Sequence, residues 1–89
     1  MTNDELAFLR RGMKFTQTEM ADRLGLSIRA YSMIEVGNAT LRPIHILAVE
    51  RVAIDRAVEL ANPMIAPAGV RNDALLFAEM VKGIGDDAE

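Results

Sequence analysis

At 89 residues, 51% apolar and 26% charged, the chain is long enough for one modest core and too apolar for intrinsic disorder. It has no cysteine, which excludes disulfides, thiolate metal sites and thiol nucleophiles and suits a reducing cytoplasm. The formal charge of -3 is the wrong sign for a phosphate-binding chain, but the acid is concentrated at one end: residues 1–56 carry eight Lys/Arg against seven Asp/Glu, and residues 57–89 carry two against six.

Taken in chain order, Thr2 and Glu5 have capping-box spacing, which predicts a first helix over about 3–11 with Leu6, Phe8 and Leu9 as its apolar positions. Gly12 is expected to end it in the left-handed conformation. That stretch mixes Asp4 and Glu5 with arginines and has no apolar run, so no signal peptide is expected, and no segment has the length of a membrane span. A second box, Thr16 to Glu19, starts a short helix that Gly25 stops, with Met20, Ala21 and Leu24 at helical spacing. Ser27 caps a third helix, which carries Ala30, Tyr31 and Ile34 on one face and closes at Gly37. Pro43 fits the first position of a long fourth helix reaching about Leu60. Residues 64–70, with Pro67 and Gly69 and following Pro63, read as a linker or turn. Asn72 is expected to cap a fifth helix to Lys82, with 83–89 a frayed acidic tail. No strand pattern occurs, so the predicted class is all-α, with four to five helices. The division expected is 1–61 as a core with an extended fourth helix, and 62–89 as linker, C-terminal helix and tail.

Residues 16–43 carry the informative pattern. A helix-turn-helix needs a short first helix with a small residue where the second crosses, a glycine in the turn, a capped second helix and an apolar residue that pins it. Ala21, Gly25, Ser27 and Ile34 fill those places. The stretch TQTEMADRLGLSIRAYSMIEVG resembles the lambda-repressor-like family, also called Cro/CI or XRE type, over about residues 4–54. The resemblance implies a buried ion pair between Arg10 and Glu35. It also implies base reading in double-stranded DNA by Ile28, Arg29, Ser32 and Met33, with Tyr31 turned inward. Arg29 can donate two hydrogen bonds to O6 and N7 of guanine, and Ile28 and Met33 suit a thymine methyl. Phosphate contacts are expected from Gln17 at a helix start and from Lys14, Asn38, Thr40 and Arg42 in the flanking loops.

Plainer readings stand beside these. Arg29 alone is an ordinary solvated charge, Gln17 a polar first-turn residue, and Ile28 and Met33 could cover the first helix or a neighbouring subunit. His45, the single histidine, is expected to be partly buried or idle, not a metal ligand or a general base. Glu50, Arg51, Asp55, Arg56 and Glu59 read as a solvated helix face. No phosphate loop, HExxH, GxSxG or zinc spacing occurs, so neither an enzyme nor a cofactor or metal site is expected.

One reading helix covers few base pairs, so a C2 homodimer on an inverted repeat is expected. Ile54, Ala57, Val58 and Leu60 with Leu76, Phe77 and Met80 supply its interface, Leu75 and Val81 adding to the apolar set; the opposing possibility is that the fifth helix folds back on its own core. The function expected is a cytoplasmic, sequence-specific transcriptional regulator, a repressor. The alternative is an antitoxin-like or coactivator-like module whose C-terminal segment binds a protein partner.

Overall fold

The computed structural model describes residues 1–87. Its elements are α1 (Asn3–Gly12), α2 (Gln17–Leu24), α3 (Ile28–Glu35), α4 (Pro43–Glu59), a 3-10 turn (Pro63–Ile65) and α5 (Ala68–Asp87). No strand occurs among the described residues, so the all-α expectation holds.

Each helix start is set by a local device. Thr2 accepts from the Glu5 amide at 3.1 Å, Thr16 and Glu19 form both halves of a capping box, and Ser27 accepts from the Ala30 amide at 3.1 Å. Pro43 is the first residue of α4. There His45 takes the part a glutamate usually plays, its Nδ1 accepting the Arg42 amide at 3.1 Å. The half-buried His45 is therefore not idle.

The first four helices end in the same double hydrogen bond, with one residue left-handed. After α2, the Leu26 amide reaches the Ala21 carbonyl and Gly25 reaches Asp22; after α3, Asn38 reaches Met33 and Gly37 reaches Ile34. Gly25 (φ 72°) and Gly37 (φ 87°) take the left-handed positions, as expected. At α1 the position falls not on Gly12 but on Lys14 (φ 60°), and after α4 it falls on Ala61 (φ 51°). The helix runs through Gly12 because turning there would withdraw Met13 and Phe15 from the core, where they are buried.

Leu6, Met13, Phe15, Met20, Ala21, Tyr31, Ile34, Val49, Val52 and Ala53 form the core, closed at one end by Ala66 and Val70. Phe8, expected on the apolar face of α1, is instead exposed. The expected linker or turn is a 3-10 turn followed closely by α5. Asn62 caps the 3-10 turn by accepting from the Met64 amide at 3.1 Å, and α5 begins at Ala68, before Asn72, and continues past Lys82 to Asp87. Residues 88–89 of the expected tail lie outside the described residues. Among the described residues α5 is anchored by its first turn, through buried Val70 and the Arg71 guanidinium on the Ala66 carbonyl at 2.6 Å. Beyond it the helix stands off the core, and the molecule measures 52 × 24 × 21 Å.

Candidate nucleic-acid interface

The α2–turn–α3 unit is locked from behind by a chain of polar contacts. Arg10 on α1 donates from Nε and Nη2 to the two carboxylate oxygens of Glu35, at 3.0 and 2.8 Å, and from Nη1 to the Phe15 carbonyl at 2.9 Å. Both side chains are largely enclosed. Burial alone would raise the Glu35 pKa, but Arg10 foremost, with the neighbouring Tyr31 hydroxyl and the Gln17 amide, outweighs it and holds the carboxyl below its usual value. The Arg10 guanidinium is raised in turn, chiefly by its bond to Glu35. At the end of α3, the Ile34 carbonyl accepts from Nδ2 of Asn3, the first residue of α1, which adds a second tie.

The same carboxylate reaches across to α2. Gln17 Nε2 donates to Glu35 Oε1 at 3.3 Å, and Ser32 Oγ donates to Gln17 Oε1 at 3.2 Å. Arg10, Gln17, Ser32 and Glu35 are thus brought into one network, in which Gln17 and Ser32 are half-buried. The expected pairing of Arg10 with Glu35 is present; the engagement of Gln17 and Ser32 behind it was not legible from the sequence.

On the outer side of α3, Arg29 is exposed, and Ile28 (43%) and Met33 (40%) lie open to solvent rather than covering α1. Val36 and Ile44, not singled out by sequence, extend this apolar surface and are also exposed. Met33, Thr40, Arg42 and Ile44 line one hollow between α3 and the start of α4. Asn38 and Thr40 line another beside Met1 and Asn3. Lys14 is exposed on the turn before α2. From Leu24 to Val49 the chain contains two arginines, Arg29 and Arg42, and one carboxylate, Glu35. Since Glu35 is neutralised by Arg10, acid within this segment does not break its positive surface.

Behind the unit, Phe15 sits between two guanidinium groups, Arg56 at 4.3 Å and Arg23 at 5.0 Å from the ring centre. Arg56 also donates to the Met13 carbonyl at 2.9 Å. Glu59 pairs with Arg23 at 2.6 Å and Arg56 at 3.4 Å. These residues tie α2 to α4. The solvated-face reading holds for Arg51 and Asp55, an exposed pair at 3.3 Å, but not for Arg56.

Toward the C-terminal end, Ile54, Ala57 and Val58 line an open apolar groove with Ala66, Val70 and Ala74. A neighbouring hollow joins Leu47 and Ile54 to Phe77. Leu60 lines neither hollow and is about two-fifths exposed, and Leu76 and Met80 are more exposed still. Among the described residues no helix is long and apolar enough to cross a membrane.

A family model described as Helix-turn-helix matches residues 6–52, more than half of the 89 residues. No curated protein and no solved structure matches the chain.

Proposed function

Because the chain belongs to the lambda-repressor-like, XRE-type helix-turn-helix family, a DNA-binding regulatory domain, we propose that it is a cytoplasmic repressor that binds an inverted-repeat operator as a C2 homodimer. The observation that carries this reading is the exposed Arg29 between Ile28 and Met33, on a helix whose one carboxylate, Glu35, is already neutralised. Ile28, Arg29, Ser32 and Met33 face base edges. Lys14, Asn38, Thr40 and Arg42 contact phosphate on either side, and the amino end of α2 at Gln17 adds its backbone amides. Repression needs only occupancy of the site, which such a reading unit supplies.

The dimer rests on a different feature. Leu75, Leu76, Phe77, Met80, Val81 and Ile84 on α5 are each at least half exposed, with Val58 of α4. Contiguous apolar surface of this extent is costly on a monomer. A two-fold interface through Ile54, Ala57, Val58, Leu60, Leu76, Phe77 and Met80 would cover it and set two reading helices on successive half-sites. The same face gives the second reading its support: a protein partner could occupy it, as in an antitoxin-like or coactivator-like module.

Selection of genomic fragments by the purified protein, at fixed salt near physiological, separates the two. An enriched inverted repeat, with Arg29→Ala costing about 1–3 kcal/mol and flattening preference at one base pair per half-site, supports the repressor. If no fragment is enriched and binding disappears with modest salt whatever the sequence, the partner-binding reading takes its place.

A further inference from the structure

The open groove between α4 and α5 has a volume of about 430 Å³, within the range of sites that hold small molecules. Its walls are apolar, from Ile54, Ala57 and Val58 on α4 to Val70 and Ala74 on α5. It runs on into the hollow that joins Leu47 to Phe77, with Ile54, Val70 and Ala74 common to both. From Val58 to Leu47 along α4 the trough extends for about 16 Å. A helix with its side chains is about 10 Å across and would rest on the rim of such a trough, whereas an unbranched alkyl chain enters it.

The two ends of the trough differ in charge. At one end the half-buried Arg71 donates from Nη1 to the Ala66 carbonyl and, among the described residues, pairs with no carboxylate. Asn62 lines the same end; its Oδ1 accepts the Met64 amide, which leaves its amide nitrogen as a donor. At the other end lie Glu50, Asp73 and Arg51, the last paired with Asp55. A guanidinium set against apolar walls without a counter-charge favours a carboxylate that it can hold by charge-assisted hydrogen bonds.

We propose that this groove binds a free, unbranched fatty acid, with its carboxylate on Arg71 and Asn62 and its chain along Ile54, Ala57 and Ala74 toward Phe77. The carboxylate supplies the charge that Arg71 lacks, and Glu50 and Asp73 repel it from the opposite end. The chain gains by leaving water in proportion to the length that the walls enclose. The inference concerns the face between α4 and α5 and does not depend on operator binding.

Equilibrium dialysis of the 89-residue chain against radiolabelled dodecanoate, kept below micelle-forming concentrations, tests it. Saturation at one molecule per chain is expected, with octanoate weaker by at least about tenfold and dodecyltrimethylammonium not bound. Arg71→Gln should weaken dodecanoate binding about tenfold, while Arg71→Lys, which keeps the charge, retains most of it. Ala74→Phe, which fills the groove from an exposed position on α5, should abolish binding with helix content unchanged. Equal uptake of the cationic chain, equal loss in Arg71→Gln and Arg71→Lys, or full binding by Ala74→Phe overturns the proposal. So does the absence of saturable binding, and a mass of two chains in that case assigns the groove to a second copy. Each of these failures leaves the operator-binding reading standing, since fragment selection judges that separately.

Discussion

Tyr31 is fully enclosed, and its hydroxyl lies beside the Arg10–Glu35 pair without the geometry of a formed hydrogen bond to it. Burial, reinforced by the Glu35 carboxylate, holds its pKa well above the ordinary phenol value. A buried polar atom left unpaired costs about 1–3 kcal/mol, and an apolar group of the same shape avoids that cost. Tyr31→Phe is therefore expected to leave stability in urea unchanged or to raise it by up to about 1 kcal/mol; a loss of that size would mean that the hydroxyl is satisfied. Glu35 behaves in the opposite way. A carboxyl held below its unfolded value of about 4.3 contributes stability above that pH, and the contribution is lost as pH falls through the folded value. Unfolding free energy should decline below about pH 4–5. Glu35→Gln should flatten that acid limb and, by stranding Arg10, lower stability at pH 7 by about 3 kcal/mol. An acid limb as steep in the variant as in wild type would place the titration elsewhere.

Among the helices, the shared ending supplies a matched pair of expectations. Ala61 takes a left-handed conformation that costs an L-residue about 1–2 kcal/mol, offset in part for glycine by its greater loss of backbone freedom. Ala61→Gly should raise stability by about 0.5–1 kcal/mol. Gly25→Ala should lower it by a similar amount, about 0.5–1 kcal/mol, for conformational reasons alone, since a Cβ there meets nothing within 4 Å. Thermal or urea unfolding of both variants checks the pair, and stabilisation by Gly25→Ala would contradict the geometry. At Lys14 the same strain is tolerated at a position where a cation flanks the reading unit. Capping signals in the sequence were correct at Thr2, Thr16, Ser27 and Pro43 because a cap involves residues at most three apart. They failed at Gly12 and Asn72, where distant packing decides: burial of Met13 and Phe15 in one case, and docking of Val70 and Ala66 in the other.

For the molecule as a whole, the balance lies between a 52 Å-long monomer with an apolar arm and a dimer that covers it. Light scattering of the purified protein at micromolar concentration is expected to give the mass of two chains. Phe77→Asp, at a position 66% exposed, should give the mass of one chain with unchanged helix content and weaker operator binding. A wild-type protein that runs as a monomer at that concentration would remove the dimer from the proposed function. Dimer formation also bears on DNA affinity, since two linked half-sites compete against non-specific DNA far better than one.

The sequence by itself determined the helical class, the helix-turn-helix between Thr16 and Gly37, and the exposure of Arg29, because caps, turn glycines and apolar spacing are short-range devices written in neighbouring residues. Pairing of Arg10 with Glu35, 25 residues apart, was legible only through resemblance to a family. Tertiary structure alone decided that Gln17 and Ser32 are bound to that pair, that Arg23 and Arg56 enclose Phe15, and that α5 stands clear of the core. Each depends on which side chains meet after distant helices pack, and a charge or an amide has the same letter in the sequence whether it ends in solvent or against another helix.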